Sequence, residues 1–138
     1  MTGPAAEALE ALATARHAER EQCRFYRALA AEAERTGQEE TAERINGLLA
    51  DEQHHFSRIT ARLVELGERT SEPAPGALSI VGLNAWEAAA REREVAEVER
   101  YHGLLSLELD SRTRAVIEEI LAVEQRHARA LGGKWMLA

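Results

Sequence analysis

The chain has 138 residues, about one domain at roughly 100–200 residues per domain, and its 45% hydrophobic and 30% charged content suits a packed core rather than a solvated, disordered polymer. It holds 26 Ala and 22 Glu but only 18 Val, Ile and Thr together and six aromatic residues, a balance that favours helix and argues against an all-β fold. The net charge of −7, without a basic cluster, argues against nucleic acid and anionic membrane as partners, and Cys23 alone makes neither an internal disulfide nor a four-cysteine metal site.

Apolar residues at helical spacing predict a first helix from Pro4 to about Arg35, with Pro4 suited to a first helical position and Gly37 as its stop. A second, from Glu39 to Leu66, carries Ile45, Leu48, Leu49, Phe56, Ile59, Leu63 and Leu66 on one stripe and ends at Gly67. From Glu68 to Leu83 the prolines Pro73 and Pro75 and Gly76 forbid a continuous helix, so this is a connection. Asn84 with Glu87 three residues on predicts an N-cap and capping box for a third helix to about Leu109. Asp110 or Ser111 caps a fourth, with Val116, Ile117, Ile120, Leu121, Ala128 and Leu131 on one face and Gly132 and Gly133 at its end.

Short turns make helices one and two, and three and four, antiparallel neighbours. The second helix is roughly 42 Å long at 1.5 Å per residue, and the connection can stretch to roughly 50 Å. The expected fold is therefore an all-α four-helix bundle of two hairpins joined by a long crossover, over residues 1–138 as a single domain. The lengths also allow an up-and-down bundle with a loose loop, or exchange of a hairpin between two chains. With no cationic leader before an apolar run and no 18 consecutive apolar residues, a cytoplasmic location is expected.

The two hairpins repeat each other. A shift of 75 residues lays Glu19 on Glu94, Tyr26 on Tyr101 and Leu29 on Leu104; a shift of 72 lays Ile45 on Ile117, Leu49 on Leu121, Glu52 on Glu124, Gln53 on Gln125 and His55 on His127. At roughly 100° per residue, Glu52 and His55 fall within about 60° of their helix's apolar stripe, and Glu124 and His127 fall likewise on theirs. Counted from the turns, all four Glu reach one layer, and no Lys or Arg lies on those faces to compensate them. Four carboxylates balance two divalent cations, and two neutral imidazoles complete a nitrogen and oxygen ligand set suited to iron or manganese.

The order Glu19, Glu52 with His55, Glu94, Glu124 with His127 resembles the rubrerythrin branch of the ferritin-like superfamily, over nearly the whole chain. The resemblance implies that these six residues bind two iron ions, manganese or mixed metals being alternatives, with Glu52 and Glu124 bridging and Glu19 and Glu94 terminal. It implies reaction with peroxide or dioxygen, as a non-haem di-iron oxidoreductase of peroxidase or ferroxidase type. Glu97 looks like the additional helix-three carboxylate that exchanges with a His as the redox state changes. Rubrerythrins usually carry a rubredoxin-like domain with four cysteines, which these residues do not contain, so the electron donor is unassigned. The signature also resembles demethoxyubiquinone hydroxylases and the ferritin-like domains of iron transporters, so metal binding or storage without turnover, and hydroxylation of a small organic substrate, stand as alternatives. A homodimer is a further expectation from the resemblance.

Other polar residues read differently. Glu99 with His102 repeats the Glu-x-x-His spacing on a more exposed face and is taken as a decoy; His17, Asp51 and His54 read as surface residues. Tyr26 and Tyr101, two turns after Glu19 and Glu94, are placed to hydrogen-bond a ligand carboxylate of a neighbouring helix or simply to pack in the core. Cys23 reads as an inert buried thiol. Trp86 and Trp135 flank the bundle ends and cover apolar surface or a subunit contact.

Overall fold

Residues 5–78 and 81–132, which a computed structural model describes, form four α-helices and one short 3-10 turn, with no strand among them. The helices are α1 (Ala6–Arg35), α2 (Glu39–Glu65), α3 (Trp86–Leu105) and α4 (Ser111–Gly132). Two glycines stop the first two, as their sequence positions require. Gly37 and Gly67 have φ of +74° and +84°, and the next amide of each turns back to the helix: Gln38 N–H to Ala33 O at 2.9 Å, Glu68 N–H to Leu63 O at 3.0 Å. Pro4, Gly133, Trp135 and the rest of the C-terminal tail lie outside the described residues.

The third helix departs from the sequence expectation at both ends. Asn84 does not cap it; Leu83–Ala85 form the 3-10 turn, and Ala85 is the residue before the helix, with no side-chain cap. With Ala85 before the helix, Glu87 no longer stands three residues from the cap, and its carboxylate pairs instead with Arg44 of α2 at 3.1 Å. At the far end α3 stops at Leu105 rather than near Leu109: Ser106 Oγ donates to Gly103 O at 2.6 Å and competes with the helical ladder. Asp110 stands just before α4, its carbonyl accepting the Arg114 N–H at 2.9 Å, and Thr113 together with the Arg62 guanidinium holds its carboxyl below the usual range.

α1 packs mainly on α2 and α3 mainly on α4, and the smaller α1–α3 and α2–α4 contacts join the hairpins. Trp86, at the start of α3, is buried against Phe25, Tyr26 and Leu29 of α1 and Ile45 of α2, at the end of the bundle opposite to where α2 finishes. The connection therefore crosses the full length of the bundle. An arginine ladder on α1 holds it there. Arg16 donates to Ser71 O at 3.3 Å, Arg20 to Pro73 O at 3.1 Å and Arg24 to Gly76 O at 3.1 Å, one turn apart each. Arg16 also pairs with Glu72, bonds Thr60 Oγ1 at 2.7 Å and stacks on Phe56.

The core is two apolar slabs. One joins Phe25, Tyr26, Leu29, Ile45, Trp86 and Leu131; the other joins Leu12, Ile59, Leu63, Tyr101, Leu104, Ile117 and Ile120. Between them, on all four helices, lies a layer of buried polar side chains.

Arg16 is 7% exposed and makes several charge-assisted bonds, each worth about 1.5–3 kcal/mol, whereas exposed pairs of the kind Arg20 makes contribute about 0–1 kcal/mol. Arg16→Ala is expected to lower unfolding free energy by about 2–3 kcal/mol and to open residues 68–78 to proteolysis, while Arg20→Ala changes stability by less than about 1 kcal/mol. Denaturant unfolding and limited proteolysis read both effects.

Candidate metal centre

The repeat puts one carboxylate of each helix at one depth, and the slabs above and below bury it. Glu19, Glu52, Glu94 and Glu124 are each 0% exposed, His55 is 2% and His127 7%. Their ligand atoms fall into two groups that can each hold an ion: Glu19, Glu52, His55 and Glu124, and Glu52, Glu94, Glu124 and His127, the atoms of each within 4.8 Å of one another. Glu52 and Glu124 belong to both groups, so they stand where bridging carboxylates would.

Both imidazoles turn Nδ1 inward. His55 Nδ1 lies 3.1 Å from Glu52 Oε1 and 3.7 Å from both Glu19 Oε2 and Glu124 Oε2. His127 Nδ1 lies 3.1 Å from Glu124 Oε1, 3.4 Å from Glu94 Oε1 and 3.6 Å from Glu52 Oε2. Glu19 Oε1, Glu52 Oε2, Glu94 Oε1, both oxygens of Glu124 and His127 Nδ1 are buried and accept or donate no hydrogen bond. Orphaned buried acceptors converging from four helices fit a pair of divalent cations, and the oxygen and nitrogen donor set fits iron or manganese.

The chain matches the rubrerythrin family over residues 10–133. It belongs to that family. No curated protein matches it. The bundle with its end-to-end crossover is the ferritin-like arrangement that the sequence pattern implied.

In this rubrerythrin-family chain the two tyrosines are exchanged between hairpins. Tyr26 of α1 donates to Glu94 Oε2 of α3 at 2.6 Å, and Tyr101 of α3 donates to Glu19 Oε2 of α1. Each bond fixes Oε2 of a carboxylate and leaves its Oε1 without a hydrogen bond. Burial, reinforced by the carboxylate each one touches, holds both phenols well above the usual range, so they stay protonated as donors.

Glu97 is buried beside Glu19 but lies outside both groups. Its Oε2 is 3.5 Å from Arg100, its Oε1 has no partner, and burial with Glu19 nearby raises it to about 7. It lines a recess of about 350 Å³ between α1 and α3, with His17, Glu21, Gln22, Arg93 and Arg100. Glu99, His102 and His54 are exposed and take no part in either group. His17 is half-buried in that recess rather than on the open surface. Burial, with Glu19 next, pushes the Cys23 thiol up to about 12, which keeps it protonated.

Two contributors escape the periodicity. Gln22 gives Nε2–H to Glu94 Oε2 at 3.2 Å while its Oε1 accepts from Arg93 at 2.5 Å, which fixes the amide's orientation. The signal for it was the 75-residue shift itself, which lays Gln22 on Glu97. Asp51 corrects the surface reading in part: it is exposed, yet its Oδ2 lies 2.8 Å from His127 Nε2. It lies off the apolar stripe, so only the crossing of α2 and α4 reveals the contact.

Without an ion the cluster holds protons. Burial, partly offset by the imidazoles and reinforced by neighbouring carboxylates, raises Glu19 and Glu52 to about 8 and Glu124 to about 7. Burial works against a charged His55 and His127, but the carboxylates crowded around each Nδ1 outweigh it, lifting His55 to about 12 and raising His127 as well. Burial also opposes ionisation of Glu94, but His127 and Tyr26 outweigh it and keep Glu94 below the usual range.

The raised carboxyls keep protons from about pH 4.5 to 8 that the unfolded chain has released, so stability falls as pH rises through that window. His55 acts with the same sign: its contribution is complete below 6.5 and is lost toward 12. The chelator-treated protein is therefore expected to lose melting temperature steadily between pH 5 and 9. The rise in Tm on adding Mn(II) should grow over the same interval, because the ion replaces those protons. Thermal scans with and without metal check this; a metal-induced rise independent of pH would contradict it.

Proposed function

We propose that the chain is a di-iron oxidoreductase that reacts with hydrogen peroxide or dioxygen, of peroxidase or ferroxidase type. The observation that carries this reading is the pair of four-residue groups sharing Glu52 and Glu124 inside a buried layer. Residues shared in this way would hold two ions close together, so that both could act on one small oxidant. Bound there, two ferrous ions would supply one electron each, so that one peroxide and two protons become two waters.

The chain's own residues would position and protect that chemistry. Four carboxylates offset two divalent charges, and neutral His55 and His127 add one nitrogen to each position. Tyr26 and Gln22 hold Oε2 of Glu94 and Tyr101 holds Oε2 of Glu19, so these carboxylates need reorganise little when an ion's charge changes. Glu97, between the recess and Glu19, is placed to pass a proton between solvent and the layer. Turnover also needs an electron donor; with Cys23 their only cysteine, these residues hold no four-cysteine iron site to serve as one.

Anaerobic loading with Fe(II) is expected to give about two ions per chain. Peroxide or air should then raise near-ultraviolet absorbance within one turnover. Two ions with no change of absorbance would mean metal binding without this redox activity, and no ions would leave a protonated polar core. Substitution separates shared from terminal ligands: Glu124→Gln should weaken both binding steps, whereas Glu19→Gln should weaken one. Isothermal titration with Mn(II) distinguishes the two patterns.

A further inference from the structure

The two ion positions are built from equivalent ligands but rest on unequal supports. His127 directs Nδ1 at Glu124, Glu94 and Glu52 and Nε2 at Asp51 Oδ2, 2.8 Å away. A carboxylate facing Nε2 takes its proton as a hydrogen bond, which leaves the neutral ring's lone pair on Nδ1, the atom that faces the centre. The contact links α2 to α4, so it also ties the first hairpin to a ligand of the second.

The same 72-residue shift that lays Glu52 on Glu124 lays Asp51 on Val123, whose side chain accepts no hydrogen bond. His55, the partner of His127 in the repeat, therefore has no matching carboxylate from α4. A second difference points the same way. Glu94 Oε2 receives two donors, Tyr26 and Gln22, whereas the corresponding Glu19 Oε2 receives one hydrogen bond, from Tyr101, because Glu97 replaces the amide.

Asp51 itself is about half exposed, its side chain at 52%, and an ion pair that open to solvent adds little to folding stability. The orientation of a ring, not the stability of the bundle, is what this contact is placed to determine.

We propose that Asp51 is a positioning residue for one ion of the pair. It holds His127 with the Nδ1 lone pair in the Glu52–Glu94–Glu124–His127 group and makes that position the tighter of the two, so that the ions load in order. This rests on the reading of the cluster as two metal sites.

Co(II), whose absorbance reports its ligands, is the probe. Calorimetric and optical titration of the chelator-treated wild type is expected to show two steps at least tenfold apart. Asp51→Ala weakens the tighter step by roughly 10–100-fold and leaves the weaker one within about twofold. Asp51→Asn, which keeps an acceptor but not the charge, lies between them. In the Co(II)-loaded protein, one shifted, slowly exchanging imidazole N–H proton resonance disappears in Asp51→Ala, while the melting temperature of the metal-free variant matches wild type. Two equal steps in wild type, or an Asp51→Ala variant with both steps unchanged or both weakened alike, would overturn the proposal and leave the metal pair standing. No Co(II) binding by wild type would overturn both.

Discussion

Four carboxylates confined between two apolar slabs repel one another strongly, and that repulsion is the constraint on which the rest of the molecule depends. The described residues bury two arginines, and neither is spent on it: Arg16 secures the crossover, and Arg62 secures the α3–α4 turn through Thr113 at 2.9 Å and Asp110 at 2.7 Å. Compensation is left to protons on the cluster's own groups or to cations from outside. Such a layer destabilises a metal-free core at higher pH and rewards ion binding, which couples the occupant of the centre to the stability of the bundle.

Duplication gives this centre its economy. Because the hairpins pair antiparallel, residues seven apart on α1 meet residues seven apart on α3 in reverse order, so Tyr26 reaches Glu94 and Tyr101 reaches Glu19. A single hairpin supplies two carboxylates, an imidazole and a phenol, but its phenol serves the other hairpin's carboxylate. Neither half completes an ion site alone, since each group draws Glu52 from α2 and Glu124 from α4.

The two halves differ at the margins while their six central side chains match. Gln22 against Glu97 and Asp51 against Val123 change what stands behind the ligands, not the ligands. Outer contacts of this kind alter ligand orientation and basicity without altering the ligand set.

Much of this was legible in the order of residues. Helical periodicity, the positive-φ glycines Gly37 and Gly67, and the duplicated Glu-x-x-His spacing determined the helices, their pairing and the convergence of Glu19, Glu52, His55, Glu94, Glu124 and His127, because each depends on local geometry repeated along one chain. The start of α3 was not legible: Asn84 and Glu87 have the spacing of a capping box, yet Leu83–Ala85 fold as a 3-10 turn and Glu87 pairs with Arg44, 43 residues away. Asp51 is exposed, as its position on the helix implies, but its contact with His127 was not legible: periodicity measures the angle of a side chain about its own helix, and only the crossing of α2 over α4 brings an outward carboxylate to the back of His127. Which atoms face the ions follows from the chain; which groups stand behind those atoms is decided by how the helices are packed.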